Sequence, residues 1–315
     1  VNGADWVQAV DSALGFLGAD LRREVSLAPM STYRVGGAAR RYVEIDSDDQ
    51  LSAVVAALAG IDLGNRALVI GRGSNLLVAQ SGFEGVALRL GEAFCAIDVD
   101  GVTVRVGAAA SLPVVARRTV AAGLTGFEWA VGVPGSIGGA TVMNAGGHGS
   151  DMSECVQGVR VHDLRTGETR IMSTEQLEFS YRSSALESHH VVSRVDLSLE
   201  PGDIDRGNES ISAIVRWRRE NQPGGQNAGS VFTNPPDDSA GRLIEAAGCK
   251  GLRMGTAEVS RKHANFIQAD PGGSADDVRA LMDEVAQRVE GHSGVVLHPE
   301  TVMVGFTSDP IGGPR

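Results

Sequence analysis

The sequence predicts an α+β protein of more than one domain. Three observations carry that prediction: a length of 315 residues, short β-rich runs alternating with amphipathic helical runs, and two glycine-rich stretches. At roughly 150 residues per domain, the length suggests two domains or three small ones. Glycine supplies 41 residues, and its usual share is only about 7%. With 11 prolines and 42% hydrophobic residues the chain is neither collagen-like nor disordered. The glycine excess therefore belongs to loops where backbone approaches something closely.

Residues 42–45 form a β-type run, and a helix opens at Ser47 with Gln50 three residues on as a capping box, ending near Gly60. Residues 68–70 read as a strand running into the loop Gly71-Arg72-Gly73-Ser74-Asn75, and residues 86–90 as another, so residues 1–90 form a first α+β segment. Strands predominate over residues 91–203. They are expected at 96–99, 103–106, 158–163 and 191–199, with turns at Asp100-Gly101 and Thr166-Gly167 and one helix from Ser111 to near Ala122. Pro201-Gly202-Asp203 marks a linker into a third segment, 204–315, again α+β. Its clearest helix takes Ser274 as N-cap and sets Val278, Leu281, Met282, Val285 and Val289 on one face, with Gly291 just past the end. Those apolar residues are core rather than cofactor contacts. Residues 308–315 are rich in Gly and Pro and read as a frayed tail.

The acidic balance, a net charge of −11 and a pI near 5.1, has the wrong sign for a protein held to nucleic acid by phosphate contacts. Cys95, Cys155 and Cys249 are odd in number and widely spaced, with no C-x-x-C, which argues against a disulfide framework or zinc ribbon and for a reducing compartment. Asp5, Asp11 and Asp20 interrupt residues 1–27, and no stretch approaches the roughly 18 apolar residues of a membrane span. The expectation is a cytoplasmic monomer with no membrane insertion. His189 and His190 are adjacent, His148 sits among glycines, and none has H-x-x-x-H or H-E-x-x-H spacing, so no catalytic metal is expected.

The loop from Gly71 to Asn75 lets backbone N–H groups point at an anion such as a pyrophosphate. It is neither of the two familiar phosphate loops. A Walker loop ends in Gly-Lys-Ser/Thr, and a Rossmann fingerprint needs a third glycine at position 76, which is Leu76. Alone, it is as compatible with a tight turn as with phosphate. The second stretch runs Gly132-Val133-Pro134-Gly135-Ser136-Ile137-Gly138-Gly139-Ala140, then Asn144-Ala145-Gly146-Gly147-His148-Gly149. So long a path of backbone without Cβ atoms suits a chain wrapped against a large flat ligand and its phosphates.

With Ser31-Thr32-Tyr33-Arg34-Val35-Gly36-Gly37 ahead of them, these loops resemble the flavin-binding half of the vanillyl-alcohol-oxidase-like (PCMH-type) FAD superfamily. Later motifs narrow the resemblance. Phe179-Ser180-Tyr181-Arg182-Ser183-Ser184, Ala228-Gly229-Ser230-Val231-Phe232-Thr233-Asn234-Pro235, Lys262-His263-Ala264-Asn265-Phe266-Ile267 and His298-Pro299-Glu300 occur in the order seen in the UDP-N-acetylenolpyruvoylglucosamine reductase family. The resemblance runs from about residue 30 to 305.

It implies a two-part FAD-binding region followed by a C-terminal α+β substrate-binding domain. It also implies non-covalent FAD, NADPH as hydride donor, and reduction of the enolpyruvyl ether of a UDP-sugar to UDP-N-acetylmuramate for peptidoglycan. Carried over by motif, the FAD contacts are Gly71, Arg72, Gly73, Ser74, Asn75, Leu76, Gly132, Val133, Pro134, Gly135, Ser136, Gly138, Gly139, Asn144 and Gly146. Arg182 and Glu300 are then the groups that stabilise the enolate, Ser230 the proton donor, and Tyr181, Asn234 and Lys262 the substrate contacts.

Chemistry agrees with these roles. Hydride addition to the vinyl carbon leaves negative charge that spreads into the carboxylate, and a guanidinium, always charged, grips a carboxylate through two N–H donors. Pro299 in the strand-like run 295–304 suggests an edge or bulge able to aim Glu300 into a cleft. A serine hydroxyl is a weak acid that suffices only for a strongly basic acceptor. Arg216, Arg218 and Arg219 read as a solvated helix face. Between Ser184 and Trp217 there is no room for the tyrosine-bearing insertion of longer family members, so the chain resembles the shorter branch, with Gln222 where the longer branch has a lysine. Two other readings share the glycine loops: a flavin-dependent sugar or alcohol oxidase, which does not need Arg182, Ser230 and Glu300 together, and a nucleotide-binding module without redox chemistry.

Overall fold

Trp6, Val10 and Leu14 recur every fourth residue, and this spacing, outside the expected elements, forms the buried face of helix Asp5–Phe16. The structure is a computed structural model and describes residues 5–17 and 19–306; the tail at 308–315 lies outside the described residues. The chain divides into two units. The first takes in the described residues up to Val25, Ala39–Arg72 and Gly85–Val215, and the second Ser26–Ala38, Gly73–Glu84 and the described residues from Arg216 onward. Residues 26–38 and 73–84, expected within the segment 1–90, thus group with the C-terminal part. The expected break near 90 falls between two sheets of the first unit.

One of these sheets orders its strands Leu21–Ser26, Ala38–Ile45, Phe83–Leu90 and Ala67–Ile70, the last two parallel with Ala67 opposite Val86. Helix Asp48–Leu58 buries Leu51, Val54, Val55 and Leu58. Ser47 Oγ accepts from Gln50 N–H at 3.1 Å, but Gln50 Oε1 accepts from Asp46 N–H at 2.7 Å rather than from Ser47, so the capping box closes one residue early.

The other sheet is antiparallel throughout: Thr169–Ser173, Val156–Asp163, His190–Ser198, Thr103–Gly107 and Ile97–Asp100. The expected turns at Asp100-Gly101 and Thr166-Gly167 join its two hairpins. Helix Leu112–Ala121 follows Ser111, which makes no side-chain cap bond. The expected linker at 201–203 is not free. Glu200–Pro201 pairs with Leu124–Thr125, and Gly202 N–H donates to Gly123 C=O at 2.7 Å.

In the second unit, a three-stranded antiparallel sheet of Arg253–Met254, Ala257–Val259 and Ile267–Ala269 shares a core with helix Ala275–Ser293. Ser274 caps that helix and its five expected apolar residues are buried. Its end is Gly294, at φ +73°, rather than Gly291, which remains helical because the last turn continues three residues further. The strand-like run 295–304 shortens to Val302–Val304, parallel to Leu76–Val78. Pro299 lacks an N–H and sits opposite Phe232 in an isolated bridge.

Candidate active site

In the first unit the two glycine loops meet. A Cβ at Gly71, after strand Ala67–Ile70, would collide with Ser136 Oγ, and Ser136 caps helix Ile137–Val142 by accepting from Gly139 N–H. Gly138 N–H already donates to Ala108 C=O at 2.9 Å, and a Cβ there would lie 2.8 Å from Ala108 Cβ. Gly132 and Gly146 likewise press on His148 and Asp151. These glycines serve packing of the chain on itself. Gly139 differs: it is exposed, with Ser136 Oγ the nearest atom to a built Cβ, at 3.4 Å. Gly71, Arg72, Pro134 and Gly139 are therefore the exposed members of this set, while Gly135 and Ser136 are buried and Val133 is half-buried.

Ser180 and Ser183 exchange both backbone hydrogen bonds, 3.0 and 3.1 Å, so Tyr181 and Arg182 form the tip of a tight turn. Arg182 sits at φ +57° and its guanidinium donates to Asn144 C=O at 3.5 Å and Gly146 C=O at 3.0 Å. It lies 5.1 Å from the Tyr181 ring centroid, and Tyr181 is 57% exposed. Asn144, buried and at φ +44°, gives its side chain to this turn: Nδ2 donates to Ser180 C=O at 2.9 Å and Oδ1 accepts from Ser153 N–H at 3.0 Å. Ser184 Oγ completes the anchor on Val142 C=O at 2.7 Å.

In the second unit Thr32 N–H donates to Gly73 C=O at 3.0 Å, and a Cβ at Gly73 would collide with Met30 C=O, so the 31–37 motif is the bed on which the 73–75 loop lies. Ser74 is half-buried, and Leu76 is buried and offers a ligand only its backbone. Asn75 Nδ2 donates to Glu300 C=O at 2.8 Å, and Glu300 N–H donates to Val231 C=O at 2.8 Å. Glu300 and half-buried Ser230 therefore stand on paired segments of one unit.

Asn234 is exposed, and its Oδ1 accepts from Ala240 N–H at 3.0 Å at the start of helix Ala240–Ala246. Lys262 Nζ donates to Arg219 C=O at the rim of a cleft of about 510 Å³, which Gln226, Glu258, Arg261, Gln268 and Asp270 also line. Arg218 Nε donates to Gln222 Oε1 at 2.7 Å, and burial holds its pKa below the ordinary arginine value. Arg218 is thus a half-desolvated cation rather than one of a solvated row.

Asn265 had no expected role. Its signal was an amide between apolar Ala264 and Phe266, which a buried run tolerates only with its hydrogen bonds met. Among the described residues, the group with metal-ligand chemistry is Asp163, His189 and His190, whose ligand atoms lie within 4.8 Å of one another. Their hydrogen bonds oppose an ion. His190 Nδ1 accepts from Glu187 N–H at 3.0 Å, which leaves the ring proton on Nε2, the nitrogen facing Asp163. His189 Nε2 takes a donor from cationic Arg165.

The α+β fold in two units, with the glycine loops meeting in the first, belongs by its family matches to a class of flavin-binding proteins. Residues 39–173 match the FAD binding domain, and residues 221–304 match the C-terminal domain of UDP-N-acetylenolpyruvoylglucosamine reductase. A protein of that name from Synechococcus sp. (strain CC9311) is 40% identical over 294 residues, covering 91% of this chain and 94% of its own length. One from Paramagnetospirillum magneticum is 38% identical, covering 97% of each. The crystal structure of UDP-N-acetylenolpyruvylglucosamine reductase (MurB) from Thermus caldophilus superposes with a TM-score of 0.77 at 33% identity, covering 90% of this chain and 99% of that one. The chain belongs to the UDP-N-acetylenolpyruvoylglucosamine reductase family. No helix among the described residues is long and apolar enough to cross a membrane.

Proposed function

We propose that this protein reduces the enolpyruvyl ether of UDP-N-acetylglucosamine to UDP-N-acetylmuramate with NADPH and FAD. The observation that carries the reading is the family match along nine-tenths of the chain, with Arg182, Ser230 and Glu300 all present in their motifs. The first unit fits FAD. A Cβ at Gly71 would collide with Ser136 Oγ, and Gly71, Arg72, Pro134 and Gly139 are exposed where the two glycine loops meet, so bare backbone is open there to a flat ligand.

The chemistry FAD supplies when bound is hydride, received from NADPH and delivered to the terminal vinyl carbon. The protein then has to hold the charge that appears on the neighbouring carbon and the carboxylate. Arg182 meets that need with a permanent cation whose turn is anchored before substrate arrives, so little reorganisation accompanies charge development. Glu300 acts with it on the enolate, and Ser230 Oγ gives a proton to the carbanion carbon, a transfer that is downhill because an enolate is strongly basic. Tyr181, Asn234 and Lys262 hold the nucleotide sugar, Lys262 by charge toward the diphosphate. The protein acts in the cytoplasm as a monomer, with no nucleic-acid or metal partner.

The test is the visible spectrum of the purified protein under anaerobic conditions. A flavin band that NADPH bleaches and the UDP-enolpyruvyl sugar restores is the expected result. A band indifferent to NADPH but bleached by a sugar or alcohol would make the protein an oxidase, and a colourless protein that takes up no FAD would end both readings.

A further inference from the structure

Phe232 lies two residues after Ser230, and its backbone is held from both sides. On one side the segment runs antiparallel to residues 298–300: Thr233 N–H donates to His298 C=O at 2.9 Å and Glu300 N–H to Val231 C=O at 2.8 Å, with Phe232 opposite Pro299. In such a wide pair the N–H and C=O of the middle residue point away from the partner strand. Asn265 takes both of them. Phe232 N–H donates to Asn265 Oδ1 at 3.0 Å, and Asn265 Nδ2 donates to Phe232 C=O at 2.8 Å. Val231 N–H adds a bond to Asn265 C=O at 2.9 Å.

A carboxamide offers one acceptor and one donor edge in the layout of a peptide group, so this side chain stands where a third strand's peptide would. Asn265 is only 3% exposed, so water does not replace it. The peptide planes next to Ser230 are thus fixed between Glu300 on one flank and Asn265 on the other.

We propose that Asn265 is a positioning residue for proton delivery, holding the Ser230 hydroxyl in place relative to Glu300 by clamping the Phe232 peptide; this rests on the role given to Ser230 above. Asn265→Asp keeps the shape and the acceptor but sets a carboxylate oxygen against Phe232 C=O. Asn265→Ser keeps a small polar group able to serve one partner.

The test follows the FAD-loaded enzyme by anaerobic stopped flow, reading flavin reduction by NADPH and flavin reoxidation by the UDP-enolpyruvyl sugar separately, the latter also in D2O. In Asn265→Asp, reduction is expected to stay within about twofold of wild type while reoxidation slows by about tenfold to a hundredfold, with a larger solvent isotope effect. The same split is expected in Asn265→Ser, which carries the test if the aspartate variant does not fold. Unchanged reoxidation, or both half-reactions slowed alike, would overturn the positioning role. A wild-type flavin that the sugar cannot reoxidise, or a Ser230→Ala variant that reoxidises normally, would instead overturn the functional reading on which it stands.

Discussion

Arg182 at φ +57° and Asn144 at φ +44° occupy a backbone region that non-glycine residues enter only when their surroundings hold them there. Here each holds the other: the Asn144 amide ties down Ser180, and the Asn144 carbonyl receives the Arg182 guanidinium. Asn144→Ala would take the side-chain donor from Ser180 C=O and leave Ser153 N–H with Asp151 Oδ1 alone as acceptor, while keeping the unfavourable φ. It should cost about 2–3 kcal/mol, read as a lower urea midpoint at unchanged slope. Arg182→Lys keeps the charge but not the two-pronged grip. It is expected to lower turnover about a hundredfold while NADPH still bleaches the flavin at the wild-type rate, measured in separate half-reactions. Loss of flavin reduction in that variant would move Arg182 from the substrate to the cofactor.

Helix Ile137–Val142 shows how two adjacent glycines can answer to different demands. Gly138 is buried against Ala108, whereas Gly139 is exposed, with a built Cβ only in ordinary contact with Ser136 Oγ. Gly138→Ala should therefore destabilise the protein whether or not FAD is bound, by about 1–3 kcal/mol of overpacking. Gly139→Ala should leave the stability of the apoprotein level or slightly raised, since alanine is the better helix former, and weaken FAD retention. Thermal melts with and without FAD separate the two, and equal FAD affinity in Gly139→Ala would show that the ligand lies elsewhere. The density of glycine was legible in the sequence, but which glycines pack against the chain and which stay exposed was not, because Ala108 and Asp151 are brought against them by sheet pairing. Periodicity located helix Ala275–Ser293, whose apolar face repeats from Val278 to Val289 between a serine cap and a glycine, but passed over Asp5–Phe16, where the repeat is only three residues long. It failed at residues 295–304, where pairing partners at Leu76–Val78 and Phe232, far along the chain, decide how much of the run becomes strand. Arg182, Ser230, Glu300 and Asn144 were named through motifs, while the hydrogen bonds by which Asn144 ties down the 180–183 turn and Asn265 clamps Phe232 join residues far apart in the chain, which no local pattern encodes.

At the scale of the whole molecule, the buried histidines of the antiparallel sheet set the acid limit of stability. His162 is fully buried, with Nε2 on Ser193 Oγ and Nδ1 on Thr169 Oγ1, both at 2.9 Å, and burial lowers its pKa to about 4. His190 is lowered to about 4 by burial and by its neighbour His189. A folded-state pKa below the unfolded value near 6.5 means that the unfolded chain takes up the proton first. The stabilisation is therefore fully present above about pH 6.5 and is lost as pH falls toward 4, by on the order of 3 kcal/mol for His162 alone. Urea midpoints measured from pH 7.5 down to 4.5 should fall across that window, steeply enough to exceed the effect of any one surface ion pair. His162→Gln keeps a polar side chain at the site but cannot take up the proton, so it should flatten the fall by about one histidine's worth at some cost in stability at neutral pH. A midpoint that falls just as steeply in this variant would mean that His162 is not among the groups that set the limit.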